Sequence, residues 1–158
     1  MHNVPYDDRP YRPCVGIFLI NDAKKVFGGR RIDSRAEAWQ MPQGGIDPGE
    51  TSIEACMREM GEEIGTSSAK LLCEHSEWLY YNIPLPLADK LWHGQYKGQK
   101  QKWMALRFTG KDADIDVNTA IPEFCEWRWL EPTELVNLAV PFKREVYNDV
   151  LNAFQAFV

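Results

Sequence analysis

The chain has 158 residues, enough for one domain with a buried core, and its 44% hydrophobic and 26% charged residues are ordinary for a globular protein. Eighteen basic against 23 acidic side chains leave a net charge of −5, so bulk charge promises no nucleic-acid partner. No apolar run reaches transmembrane length, the N-terminus lacks a secretory h-region, and Cys14, Cys56, Cys73 and Cys125 form no C-x-x-C pair; a membrane partner, a zinc knuckle and a disulfide framework are thereby excluded, and a cytoplasmic chain with free thiols is expected.

Residues 1–10 are polar and proline-bearing, which predicts an extended or flexible start. Cys14–Ile20 is an apolar run of strand length, Asn21-Asp22 a turn, and Val26–Arg31 the returning strand. A polar loop at 33–38 leads to the extended segment Trp39–Pro42 and then to Gly44-Gly45. Asp47-Pro48-Gly49 is turn chemistry, and Thr51 or Ser52 can cap the helix that follows. On that helix Ile53, Met57, Met60 and Ile64 fall on one face, while Glu59, Glu62 and Glu63 occupy another arc. Gly65 stands where a left-handed stop belongs, whereas Gly61, inside the helix, costs about 1 kcal/mol relative to alanine. Strand character returns at Leu71–Ile83 and Lys102–Thr109, with a long loop between them that is expected to cross the functional face. Phe124–Leu130 alternates as a strand does. Pro132–Leu138 and Lys143–Phe157 read as helices, the second with Val146, Val150, Leu151 and Phe154 as its apolar stripe. Without regular βαβ alternation, repeats or linkers, the order predicts one α+β domain over 1–158, a mixed sheet between helices.

The acidic run on the first helix is the part that carries chemistry. Glu59/Glu63 and Glu59/Glu62 are like-charge neighbours on a helix, near the end where the dipole also disfavours anions. Arg58 can offset part of this by pairing with Glu54 or Glu62. A solvated acidic face is the bland explanation; a hard divalent cation, Mg²⁺ or Mn²⁺, accounts better for the charge that remains.

The spacing of Gly44, Glu50, Arg58, Glu59, Glu62, Glu63 and Gly65 resembles the Nudix box of the Nudix hydrolases at every charged and glycine position. Thr66 departs from the pattern, standing where an aliphatic residue is usual. YRPCVG, WQMPQGG, GQKQKW, PEFCEWRW and PFKREVY extend the likeness to the bacterial RNA pyrophosphohydrolases, which overlap with the dinucleoside polyphosphate hydrolases. The resemblance implies an α-β-α Nudix fold and metal-assisted cleavage of a phosphoric anhydride. It implies Glu59, Glu62, Glu63 and Glu123 as metal ligands, Glu63 or Glu62 doubling as base, and Glu50 and Arg58 orienting the ligands.

For the substrate it implies Arg12, Arg31, Gln99 or Gln101, Phe142 and Lys143 along the path of the first nucleotides, with Phe142 stacking on a base. Lys102 joins them as one of a basic set that also holds Arg30, Lys97, Lys100 and Arg144. Removal of pyrophosphate from 5′-triphosphorylated RNA is the leading expectation. Hydrolysis of a dinucleoside polyphosphate is the alternative, and a non-catalytic nucleotide-binding regulator is a third, which the intact acids disfavour. No protein partner is inferable.

Overall fold

In the computed structural model, which describes residues 4–33 and 38–158, β1 runs Tyr11–Ile20 and starts earlier than its apolar run. The extension comes from pairing, not from hydrophobicity. β1 is bracketed by β2 (Val26–Arg31), β3 (Trp39–Gln40) and β4 (Gln43–Gly45), followed by helix α1 (Ser52–Ile64). The single strand expected over Leu71–Ile83 is two, β5 (Ala69–Glu74) and β6 (Leu79–Asn82), broken by a polar turn. The long loop after them holds a short helix α2 (Leu87–Lys90) and ends early, because β7 spans Gly98–Phe108 and takes in Gln99 to Gln101. The rest is β8 (Phe124–Leu130), α3 (Pro132–Leu138) and α4 (Arg144–Phe154). The expected loop at 33–38 falls mostly outside the described residues, as do positions 1–3.

The described strands form one mixed sheet in the order β3-β2-β1-β7-β5, with β4 also on β1, β6 on β7 and β8 on β2. β1 and β7 pair in parallel from Tyr11↔Gly98 to Ile20↔Arg107, and the other pairings are antiparallel. A central strand covered on both faces must be apolar throughout, which is why CVGIFLI does not alternate. Val15, Ile17 and Leu19 pack with Ala55, Cys56, Met60 and Ile64 of α1 on one side. Phe18 and Ile20 pack with Val146, Tyr147, Val150 and Phe154 of α4 on the other. Each such side chain contributes about 1.5–3 kcal/mol by leaving water, so the two helices are clamped to the sheet. The architecture is α+β, a mixed sheet between helices, as expected.

The N-terminal stretch differs from its expectation in the part described. Tyr6 Oη donates to the Ile83 carbonyl at 2.8 Å, and buried Arg9 pairs with Asp89 at 2.6 Å, so residues 4–10 are tied down. Among the described residues no helix is long and apolar enough to cross a membrane.

Candidate active site

The acids are delivered by a well-capped helix. Thr51 accepts from the Glu54 N–H at 3.1 Å while the Glu54 carboxylate accepts from the Thr51 N–H at 3.1 Å, a capping box that occupies Glu54 and removes it from Arg58. Gly65 closes the helix at φ 76°, a left-handed position that suits glycine. The buried face keeps most of the expected stripe, with Met60 and Ile64 buried and Met57 packed partly against the core. Ile53 is 43% exposed, and Ala55, Cys56, Met60, Glu63 and Ile64 turn inward. Glu63 therefore belongs to the buried side of α1, and only Glu62 is well exposed.

Arg58 organises what surrounds them. Its Nε and Nη2 each donate to the Glu50 carboxylate at 2.8 Å, and Nη2 also reaches the Gly45 carbonyl at 2.8 Å. Nη1 donates to Glu59 Oε1 at 2.8 Å and to Glu62 Oε2 at 3.2 Å. The guanidinium hydrogen bonds hold the Glu50 carboxyl down to about 2, helped by the Asp47 N–H, so Glu50 is a fixed anion that anchors the fork. β4 lies directly against Glu59: a Cβ on Gly44 would run into the Glu59 carboxyl. A glycine is required there for the strand and the acid to meet.

Glu59 and Glu63 feel the loss of water. Burial, first, raises the Glu59 carboxyl, with Glu62 adding to it and Arg58 and Arg12 opposing. Glu63, 5% exposed, is pushed well above its usual range by burial and then by the charges of Glu59 and Glu123. Its protein donor is the Gln43 N–H at 3.4 Å, a long bond that leaves most of its oxygen capacity unused.

A cavity of about 380 Å³ opens over these groups. Its lining includes both the acids Glu59, Glu63 and Glu123 and the bases Arg12, Arg31 and Lys143. Tyr81, Ile83, Leu87, Leu91, Trp92 and Phe142 supply an apolar side. A second cavity of about 560 Å³ is lined by Glu59, Gly61, Glu62, Glu63 and Glu123, so the two share three acids. Among the described residues no three His, Cys, Asp or Glu side chains are drawn into a ready-made metal cage. The donor set nevertheless suits a hard divalent cation. It offers carboxylate oxygens only, one of them buried, under-bonded and repelled by its neighbours, a penalty that a cation among them would reverse.

The basic side chains are tied to other residues that line the same cavity. Arg31 forks onto Asp33 through Nε at 2.9 Å and Nη2 at 2.6 Å. The Arg12 guanidinium lies 4.6 Å from the centre of the Trp92 ring. Lys143, 3% exposed, donates to Gln40 Oε1 at 2.8 Å; burial and then the charge of Arg31 lower its pKa to about 7. Phe142 packs at 5.7 Å against the Tyr81 ring. Gln99 lines the cavity, whereas Gln101 sits behind it, donating to Gln99 Oε1 at 2.9 Å and to Gln43 Oε1 at 3.0 Å and accepting from the Trp103 indole at 3.0 Å.

The other basic candidates, Lys97 and Lys100 among them, lie elsewhere. Lys102 projects from the other face of β7 and donates to the Ser76 carbonyl at 2.8 Å. Arg30 pairs with Glu126 at 2.6 Å, and Arg144 caps carbonyls at the end of α3. Sequence reading missed Gln40, Gln43, Tyr81 and Trp92. The first two stand inside WQMPQGG, next to the glycines, and that proximity is the signal that was available. Trp92 lies in the long loop expected to cross the functional face, whereas Tyr81 carried no signal, since it reaches the cavity through long-range packing.

Residues 10–150 match the NUDIX domain family. The RNA pyrophosphohydrolase of Orientia tsutsugamushi (strain Boryong) is 50% identical over 153 residues, 97% of this chain and 95% of that protein. The RNA pyrophosphohydrolase of Rickettsia bellii (strain OSU 85-389) is 50% identical over 149 residues, 94% of this chain and 92% of that one. Among solved structures, the E. coli dihydroneopterin triphosphate pyrophosphohydrolase shares the fold with a TM-score of 0.68 at 21% identity, covering 92% of this chain and 100% of that one. A C. elegans Ap4A hydrolase binary complex gives 0.65 at 21%, covering 93% and 99%.

Proposed function

This chain belongs to the NUDIX domain family, and from that membership we infer a divalent-metal-dependent pyrophosphohydrolase that acts on the 5′-triphosphate end of RNA. The observation that carries the reading is one cavity lined both by Glu59, Glu63 and Glu123 and by Arg12, Arg31 and Lys143. An anionic chain needs cations on one side, and a reacting phosphoryl group needs metal-bearing carboxylates on the other.

Glu59, Glu62, Glu63 and Glu123 would hold the metal, Mg²⁺ or Mn²⁺. Such an ion, when bound, neutralises phosphate charge and lowers the pKa of water. The protein's own groups do the rest. Arg58, fixed by Glu50, aims Glu59 and restrains Glu62. Glu63 accepts the proton of the attacking water. It lines both cavities and has free oxygen capacity, whereas Glu62 lines one and is bonded to Arg58. As the water oxygen bonds to phosphorus, the α–β anhydride bond breaks, leaving a 5′-monophosphate on the RNA and releasing pyrophosphate.

Arg12 and Arg31 offer planar forks to phosphate oxygens, and Lys143 a buried point charge. An entering phosphate competes with Asp33 for Arg31. Phe142, backed by Tyr81, presents a ring to the first bases, and Gln99 a polar edge held by Gln101.

Product analysis tests the reading. With 5′-triphosphorylated RNA and Mg²⁺ or Mn²⁺, pyrophosphate and 5′-monophosphorylated RNA are the expected products. A kcat/KM clearly favouring a diadenosine polyphosphate over the RNA would overturn the RNA assignment and install the dinucleotide in its place.

A further inference from the structure

Three lysines and three aromatic rings gather on the face of the sheet turned away from the cavity. Along β7, Gln99, Gln101 and Trp103 are buried, Trp103 within the cluster that includes α4, so the alternating Lys100 and Lys102 project to the other face. Tyr80 of β6 is the register partner of Lys100, and Tyr11 of β1 is that of Gly98. Lys100 Nζ lies 4.8 Å and Lys102 Nζ 5.3 Å from the centre of the Trp78 ring. Lys97 Nζ lies 5.0 Å from that of Tyr11, whose ring meets Tyr80 edge-on at 5.0 Å.

Neither stability nor neutralisation accounts for this grouping. None of Tyr11, Trp78 and Tyr80 packs against either core cluster, and Tyr80 is 52% exposed. Among the described residues none of the three lysines forms an ion pair, although Glu74 and Glu77 are close in sequence. A chain with a net charge of −5 thus keeps three unneutralised cations on three rings outside its core. Aromatic rings beside ammonium groups are what single-stranded nucleic acid takes: bases stack, phosphates pair.

The strip lies back to back with the cavity across the sheet. Tyr11 is next to Arg12, Tyr80 next to Tyr81, and Lys100 next to Gln99, with one of each pair on each face of the sheet. We propose that this strip is a second RNA-binding site, taking single-stranded nucleotides downstream of the 5′ end, with bases on Tyr80 and Trp78 and phosphates on Lys97, Lys100 and Lys102. Its downstream role rests on the RNA reading of the cavity; its affinity for RNA does not.

Fluorescence anisotropy reads the strip without turnover. The probe is a single-stranded RNA of roughly 12 nucleotides with a 5′-monophosphate, compared with a trinucleotide bearing the same end. Wild-type protein is expected to bind the longer RNA about tenfold tighter, a difference set by one or two stacks and the lysines. The double variant Tyr80→Ser/Lys100→Gln is expected to lose most of that difference. Lys97→Gln/Lys100→Gln, which leaves both core clusters untouched, is expected to flatten the salt dependence by about 0.7 in logarithmic slope per lysine. Equal binding of both lengths, or variants that bind like the wild type, overturns the proposal. Turnover separates the two readings. Triphosphorylated RNA hydrolysed equally at both lengths, by wild type and variants alike, keeps the cavity's reading and sinks the strip. Length-dependent binding that the variants abolish, without any pyrophosphate release by the wild type, keeps the strip and sinks the RNA reading of the cavity.

Discussion

Glu63 links stability to chemistry in one carboxyl. Its folded pKa is raised above the ordinary 4.5 by burial, then by Glu59 and Glu123. In metal-free protein the folded state therefore keeps a proton that the unfolded chain releases. The associated stability is fully present below pH 4.5 and is lost as pH climbs from there through the raised folded value. Glu63→Gln carries no charge to bury. In thermal melts with chelator, the variant is expected to lose this dependence and to melt above the wild type near neutrality. Turnover with metal is expected to fall by roughly 10²–10⁴, the range for a missing general base. Near-wild-type turnover would remove Glu63 from the machinery. Sequence placed Glu63 near the right neighbours but on the wrong side of the helix. Helical spacing gives an angle about the axis, whereas burial depends on β4 and on the segment before β8, which approach from far along the chain.

At the scale of the element, α1 shows which signals are local and which are not. Thr51 and Gly65 bound it as expected, because a cap needs only residues within a turn of the helix end. Ile53, one position of the expected stripe, was misjudged for the opposite reason. It fits the helical period, yet period alone does not say whether another element covers the position, and Ile53 stands exposed. Gly61 has no steric warrant, since a Cβ there would meet nothing within 4 Å. Gly61→Ala is expected to raise stability by about 1 kcal/mol in urea unfolding, the difference in helix propensity. A variant less stable than wild type would reveal a constraint on that position beyond its open surroundings. The strand boundaries tell the same story as Ile53. Polar Tyr11–Pro13 and Gly98–Gln101 become strand only because each segment supplies the other's hydrogen-bond partners.

Across the whole molecule, scaffold and site are separable. Two apolar layers clamp the sheet, and the acids add charge repulsion to a fold that is complete without them. Chelation is accordingly expected to abolish turnover while leaving the circular dichroism spectrum unchanged. Restoring Mg²⁺ or Mn²⁺ should raise the melting temperature with concentration, as binding to the folded state alone requires. Global unfolding on chelation would make the metal part of the scaffold instead. The fold class was legible because strands and helices succeed one another without βαβ rhythm. The parallel pairing at its centre was not, for no local pattern announces a partner so distant. That pairing sets the order of events when the chain first folds. Tyr11 must find Gly98, 87 positions on, before Arg12 and Gln99 share a wall. Closing so long a loop is slow and is rewarded only once the strands zip together. A nascent chain that has not yet emitted β7, Glu123, Phe142 and Lys143 lacks the cavity they line, so activity is expected only after the last third of the chain has emerged.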